Sequence, residues 1–235
     1  MDGGPGMNAV GVTEILAGAA SRVRHVLVQV WEPGTTGHLS CRATADRDAE
    51  ILTVFGTFGG DRSKLELAVD LAGSGARSEM VGVALGGDRQ RFDHHTRHRH
   101  LGDHTWSNID FKAVTAGRAR SSYSGLIRIE EQAKFSEAYQ ENRNLLLSKT
   151  SRVDAVPELE IHNQEVSCSH GATVAPVDPE QLFYLQSKGL DPAQAVALIV
   201  QGFLDRTFDR LEEAVPPVVG QWVEKRLDQI RREWR

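Results

Sequence analysis

The sequence has few of the residues from which common enzyme sites are built. Only two of its 235 residues are cysteines, Cys41 and Cys168, and no CxxC pair occurs. A disulfide framework, a cysteine-only zinc site and a complete iron-sulfur ligand set are therefore excluded within the chain. The sequence also lacks a GxxxxGKS/T phosphate loop, a GxSxG elbow and an HExxH segment, so the most common hydrolase signatures are absent.

Neither an excess of basic charge nor a long hydrophobic run is present. Lys and Arg total 27 against 32 Asp and Glu, which gives a net charge of -5 and an isoelectric point near 6.0. Such a chain has no general positive field for a nucleic-acid backbone. No run approaches the roughly 18 apolar residues of a membrane span, and the N-terminus lacks the features of a signal peptide. We expect a cytoplasmic protein that binds neither nucleic acid nor membranes.

From Val10 to about Val177 the chain repeats short runs of alternating or β-branched apolar residues, separated by Gly, Asp, Asn or Ser. The clearest runs are Val26–Val30, Ile51–Phe55, Leu65–Leu71, Met80–Leu85 and Leu126–Ile129. Runs of this kind predict β-strands, and no helical period lies between them. The pattern excludes alternating strands and helices but leaves a sandwich, a barrel and a β-helix open.

After Pro176 the pattern changes to helices. A proline at the first turn and Gly189 past the end predict a helix over 180–188. Asp191 as a cap, followed by Pro192, predicts a second helix to about Ala214, and a third is expected after Pro217. The predicted organisation is a flexible N-terminus (1–8), a β core (9–178) and a C-terminal helical segment (179–235).

The histidine-rich segment 94–104 is the densest group of candidate metal ligands. On a strand, alternation places His94, Thr96, His98 and His100 on one side, so a continuous four-ligand cage is not implied. We interpret the segment mainly as structural, as an exposed polar strand or a ladder of stacked imidazoles. The alternative is a metal-dependent enzyme that uses His94, His98, His100 and His104 with a carboxylate.

Cys168 and His170 form a second candidate site. Residues i and i+2 of a strand point to the same side, about 6 to 7 Å apart. The pair can provide two ligands for a soft metal, or a sulfur acceptor beside a base. A buried cysteine next to a structural histidine explains the same spacing, and Cys41 has only a structural interpretation.

Two polar segments have a structural and a catalytic interpretation. The run from Gln140 to Asn144 suits the amide ladders and tight corners of stacked β coils, and Glu141 with Arg143 is the catalytic alternative. Glu158 and Glu160 share one strand face, as a general acid/base pair would, and exposed alternation explains them equally well.

The apolar residues of the second helix cover more than one stripe. They are Leu198, Ile199, Phe203, Leu204 and Phe208. Part of this surface must therefore contact something besides one core face, either the third helix or another protein.

Five motifs, taken together, resemble the SufB/SufD family of iron-sulfur cluster assembly proteins. In order they are Tyr123-Ser-Gly-Leu-Ile-Arg-Ile129, Ala138-Tyr-Gln-Glu-Asn-Arg-Asn-Leu-Leu-Leu-Ser148, Pro157-Glu-Leu-Glu-Ile161, Cys168-Ser-His-Gly-Ala-Thr173 and Leu182-Phe-Tyr-Leu-Gln-Ser-Lys-Gly189. The form of the fourth motif is more similar to SufD than to SufB. The likeness is most specific from His94 to Phe208.

The resemblance implies a right-handed parallel β-helix followed by C-terminal helices, in a complex with SufB and the ATPase SufC. It implies a scaffold that hydrolyses nothing itself and holds no permanent cofactor, with an iron-sulfur cluster or iron shared only transiently across an interface. Cys168 and His170 would lie at the interface with a SufB-like subunit or a second copy, near the nascent cluster. Phe203, Leu204 and Phe208 would contact SufC.

The chain departs from the family in length, since members usually carry an N-terminal helical domain and more β coils. It is interpreted as an excised core, a short natural paralogue or a minimal form that pairs with itself. A degenerate paralogue that keeps partner binding alone is a further alternative to the scaffold hypothesis. One cysteine near the proposed site cannot hold a cluster alone, so the resemblance requires ligands from a partner.

Overall fold

The computed structural model describes residues 6–214, with the backbone alone at position 206 and at positions 208–214. Within this range the chain forms twelve strands followed by two helices. The strands are β1 Asn8–Ala17, β2 Arg22–Gln29, β3 Thr36–Ala45, β4 Glu50–Thr57, β5 Arg62–Leu71, β6 Arg77–Gly86, β7 Arg91–His100, β8 Trp106–Thr115, β9 Arg120–Ile129, β10 Glu137–Leu146, β11 Arg152–Ile161 and β12 Ser167–Pro176. The helices are α1 Pro179–Ser187 and α2 Pro192–Ala214.

Consecutive strands belong to different sheets. The odd-numbered strands form sheet A in the order β1-β3-β5-β7-β9-β11, and the even-numbered strands form sheet B in the order β12-β10-β8-β6-β4-β2. Neighbouring strands pair in parallel in both sheets. Each coil thus adds one strand to each sheet, and six coils build a parallel β-solenoid. This confirms the predicted parallel β-helix followed by helices.

One corner of the solenoid is built from residues in the left-handed conformation. Asp48, Gly75, His104 and Phe135 have φ values of 57°, 72°, 53° and 56°. Each donates its main-chain N–H to a carbonyl of the next coil, as from His104 to Lys134 at 2.8 Å. The left-handed turn therefore reverses the chain and also continues the hydrogen bonding between coils.

Strand alternation sends one side chain in two into the solenoid. In β5, for example, Leu65, Leu67, Val69 and Leu71 are buried while the side chains between them are partly exposed. In sheet B, Phe55, Gly82 and Phe111 are neighbours on successive strands. The rings of Phe55 and Phe111 stack at 5.5 Å between centroids, and a Cβ at Gly82 would overlap the Phe55 ring.

Both helices begin where the sequence predicted. Asp178 caps α1 by accepting from the Glu180 N–H at 2.9 Å, and Pro179 occupies the first turn. Helix α2 extends to Ala214, the last residue that the structure describes. The predicted third helix lies outside the described residues. No helix in the described part is long and apolar enough to cross a membrane.

Helix α2 returns onto the outer face of sheet B. Its buried residues Val196, Val200 and Leu204 join a cluster with apolar outward side chains of the sheet, including Val83 and Val114. This packing explains why strands β6 and β8 carry apolar residues on both faces, whereas most strands alternate.

We predict that Gly82→Ala lowers the free energy of unfolding by about 1 to 3 kcal/mol, because the added methyl group displaces the Phe55 ring from its stack. Urea denaturation measures the change. Gly202→Ala is the matched control, since nothing lies within 4 Å of its Cβ position and alanine favours the helix. Equal stability of the Gly82 variant and the wild type would contradict the aromatic stack.

Candidate functional site

Cys168 and His170 lie on the last strand, β12, at the edge of sheet B. Both occupy the inward-facing alternation, beside Ala138 and Gln140 of β10. Because the described residues place no further coil on β12, His170 is exposed and Cys168 is partly exposed. The structure therefore brings the two predicted residues together on an accessible edge.

The environment of Cys168 is largely apolar. It packs against a small cluster that includes Ile127, Ile129, Ala138 and Leu159. Burial raises the pKa of the Cys168 thiol. The side chain is thus a protonated thiol at neutral pH, and it becomes a good ligand only when a metal displaces the proton.

Beneath His170, a polar group extends into the interior. Gln140 Nε2 donates to the carbonyl of Gly125 at 3.2 Å, and the Tyr123 hydroxyl lies 2.8 Å from Thr96 Oγ1. The side chains of Gln140, Tyr123 and Thr96 are all buried. Gln140, the neighbour of His170 on β10, thus places a buried amide next to the exposed imidazole, with its Oε1 atom lacking a partner among the described residues.

The other polar side chains of β10 divide between the two faces. Asn142 and Asn144 are buried and hydrogen-bond to each other at 2.6 Å, and Asn144 also donates to the Thr173 carbonyl of β12. The two amides thus pair within one strand and bond to main-chain carbonyls of the neighbouring coils, so the polar run has a structural role but forms no amide-to-amide ladder among the described residues. Glu141 and Arg143 form an exposed ion pair on the outer face, outside the interior.

Glu158 and Glu160 lie on the outer, exposed side of β11. Glu160 forms an ion pair with Arg128 of the neighbouring strand at 3.3 Å. This pairing matches the exposed alternation that the sequence suggested.

The histidine-rich segment occupies β7 and the following corner. Alternation is as predicted, but the prediction of an exposed strand is wrong for one face, since His94, Thr96, His98 and His100 are at most 3% exposed. A ladder of stacked imidazoles is also not found, because the ring neighbours of His94 are phenylalanines. Hydroxyl groups from other strands lie within hydrogen-bonding distance of one ring nitrogen of His94 and of His98, while Nδ1 of each ring is buried without a partner among the described residues.

Each buried imidazole has a hydroxyl partner. His94 Nε2 lies 3.0 Å from Thr57 Oγ1, and His98 Nε2 lies 2.9 Å from Ser78 Oγ. His100 contacts Thr105 at 2.7 Å and Ser107 at 2.8 Å. Burial lowers the pKa of His94 and His98 to about 3 and of His100 to about 4, so all three are neutral.

His104 differs from these three residues, because its side chain is exposed to solvent. It lies at the exposed corner, 3.2 Å from Asp103. Among the described residues, no three His, Cys, Asp or Glu side chains are grouped so that they could hold a metal ion. The geometry therefore gives no support to the alternative of an enzyme centred on His94, His98, His100 and His104.

The helical surface also differs from the sequence-based expectation. Leu204 is fully buried against sheet B, and Phe203 is half-buried with Lys112 Nζ 5.4 Å from its ring. The side chain of Phe208 lies outside the described set. The accessible apolar surface instead surrounds a groove of about 710 Å³ between α1, α2 and the end of β12, where Tyr184 and Leu198 are 60% and 48% exposed.

Two interactions were not predicted from the sequence. Cys41 Sγ lies 3.9 Å from His25 Nδ1, and Lys112 Nζ donates to the Phe203 carbonyl at 2.8 Å. In both pairs the partners lie on different elements, so no local spacing signals them. Burial raises the pKa of Cys41 and lowers that of His25, which keeps both neutral and supports a structural role for Cys41.

Comparison with known proteins shows that the chain is similar to one family of iron-sulfur cluster assembly proteins. A family model described as SUF system FeS cluster assembly, SufBD core domain, matches residues 4–203. An iron-sulfur cluster assembly SufBD family protein of Mycobacterium bovis is 34% identical over 194 residues, covering 83% of this chain and 23% of the relative. A second protein of that description, from Mycobacterium tuberculosis, is 34% identical over 218 residues, covering 87% and 53%.

A protein named iron-sulfur cluster assembly protein SufB, from Bacillus subtilis, is 29% identical over 194 residues. The match covers 83% of this chain and 42% of that protein. The chain thus spans between about a quarter and about half of the length of these relatives.

We predict that stability falls as the pH drops from 6.5 toward 4. The buried histidines stay neutral in the folded state but bind protons at about 6.5 when unfolded, so the unfolded state gains protons across this window. Each adds a slope of about 1.4 kcal/mol per pH unit in the free energy of unfolding. Urea denaturation at a series of pH values measures it.

His98→Gln should remove the contribution of one histidine to this slope, about 1.4 kcal/mol per pH unit, whatever its effect on stability at pH 7. His95→Gln is the control, because His95 lies on the outer face of the same strand beside Asp93. Identical slopes for wild type and His98→Gln would refute the assignment.

Proposed function

Because the chain belongs to the SufBD family of iron-sulfur cluster assembly proteins, we propose that it is a non-catalytic, SufD-like scaffold subunit of that machinery. The observation that carries the proposal is the pairing of Cys168 and His170 on an accessible edge strand. The sequence Cys168-Ser-His170-Gly, which resembles SufD, supports the finer assignment.

The end of the solenoid that carries this pair suits a second β-helix. Strands β11 and β12 each lack a neighbour on one side within the described residues. Apolar side chains of this coil, among them Ile161 and Val174, are 43% exposed. Open strand edges beside exposed apolar groups favour association with another sheet. A SufB-like subunit or a second copy of this chain is the proposed occupant.

The small number of metal ligands on this edge strand also calls for a partner subunit. Cys168 and His170 supply one soft and one borderline ligand, and the described residues bring no third ligand to them. We propose that they bind iron or a nascent cluster as transient cargo, with the remaining ligands from the partner. The raised pKa of the Cys168 thiol makes capture by this residue release a proton.

The proposed contact with a SufC-type ATPase is the groove between α1 and α2. Its apolar wall includes Tyr184, Leu198 and Phe203, while Asp178 and Glu180 lie at the rim. An apolar floor with a polar rim is typical of a protein interface. Leu204 contributes indirectly, because its burial holds α2 against sheet B.

We predict that His170→Ala abolishes or strongly reduces cluster assembly in a complementation assay in cells that depend on this chain. The imidazole is exposed, so its removal should leave the fold intact, which the far-ultraviolet circular dichroism spectrum checks. Ser169→Ala, on the opposite face of the same strand, should retain function. Full function of His170→Ala would contradict the role proposed for this side chain, whereas failure of the wild-type chain to complement would identify it as a degenerate paralogue.

We predict that Tyr184→Asp together with Leu198→Asp disrupts co-purification with the SufC-type partner, because two carboxylates would be desolvated in the groove. A loss of at least tenfold in the recovered partner is expected. Phe135→Asp is the control, since Phe135 is 56% exposed at a distant corner of the solenoid. Unchanged recovery with the double variant would place the ATPase elsewhere.

A further inference from the structure

A column of four arginines runs along one corner of the solenoid. Arg62, Arg91, Arg120 and Arg152 are the first residues of β5, β7, β9 and β11, and each pairs in register with the next. All four are exposed on the outer side of sheet A. Because adjacent strands lie about 4.8 Å apart, the column extends for about 14 Å. We call these four residues the arginine ladder.

The ladder differs from the rest of the same sheet face. Elsewhere on sheet A, several arginines pair with acids of neighbouring coils, as in Arg97 with Asp70 and Arg99 with Glu130. Within the ladder, Arg152 binds Asp154 at 2.9 Å. The side chains of Arg62, Arg91 and Arg120 form no ion pair or hydrogen bond with the described residues.

Stacking like charges directly opposite one another on neighbouring strands is unfavourable. The ladder therefore destabilises the solenoid. Arginines at three successive unpaired positions are not explained by a contribution to folding stability. A chain of net charge -5 also gains nothing in solubility from concentrating positive charge here. An external anion would offset the repulsion.

The adjoining corner adds to the positive field. Arg89, Arg118 and Lys149 are exposed in the turns that precede β7, β9 and β11. The acidic residues in these corners are Asp61, which accepts the Gly34 N–H at 2.8 Å, and Asp88. Arg62 and Arg91 also line a surface groove of about 560 Å³ together with Lys64 and with Asp93, whose carboxylate contacts His95 at 3.0 Å.

We propose that the arginine ladder binds an acidic polypeptide segment of another protein. Arginine forks suit carboxylates, and a short column about 14 Å long matches a segment with a few carboxylates in line. The net charge of -5 disfavours a long nucleic-acid backbone and favours a short peptide as the ligand. This surface is separate from the Cys168–His170 edge and does not depend on it.

The test is fluorescence anisotropy with a labelled peptide of about twelve glutamates at low ionic strength, where exposed charges are least screened. The wild-type chain should bind it saturably. The variant with Arg62→Gln, Arg91→Gln and Arg120→Gln should bind at least tenfold more weakly. Its thermal midpoint should equal or exceed that of the wild type, because the repulsion is removed.

The matched control carries Arg22→Gln, Arg47→Gln and Arg143→Gln. It loses the same three charges from arginines that are each paired with an acid. Its affinity for the peptide should stay within about twofold of the wild type. Equal weakening of both triple variants, or no saturable binding by the wild type, would overturn the proposal.

Polyphosphate and a twelve-nucleotide single strand serve as competing probes. The glutamate peptide should bind more tightly than either when compared at equal charge. Tighter, ladder-dependent binding of a phosphate polymer would overturn the assignment to an acidic polypeptide.

Discussion

The main-chain hydrogen bonds between successive coils hold each residue beside its counterpart on the next strand, and the remaining features depend on this register. Inside, a glycine at position 82 can be opposite two phenylalanines only because the three stay in line. Outside, Arg97 reaches Asp70 on the preceding strand for the same reason. A substitution at one position therefore affects the packing of the residues that pair with it on both neighbouring coils.

The strands and helices could be predicted from the sequence, but the architecture of the β part could not be derived from periodicity alone. Alternation in a run such as Leu65–Leu71 shows which side chains share a face, and sandwiches, barrels and solenoids all produce it. What separates them is the pairing of β5 with β3 and β7, which is not encoded in local spacing. The resemblance to a known family supplied that information, and the strand order confirms it.

In the candidate site, too, the sequence predicted the features set by one strand but not the contacts between strands. Cys168 and His170 could be placed on one face because strand geometry requires it, whereas Gln140 beneath them belongs to a strand one coil earlier. For β7, alternation grouped the correct histidines but not their burial, since their hydroxyl partners Thr57 and Ser78 come from distant strands. On α2, the broad apolar surface predicted two contacts, and packing decided that Leu204 faces the sheet while Leu198 faces the groove.

Lys112 gives the junction between α2 and sheet B an unusual property. The residue is only 4% exposed, and its ammonium contacts the carbonyl and the ring of Phe203. If the helix separates from the sheet, the valines lose their apolar contacts, but the ammonium regains water. Rehydration of this one charge would therefore offset part of the cost of separating α2 from sheet B, so the junction is weaker than the same contact area made of apolar side chains alone.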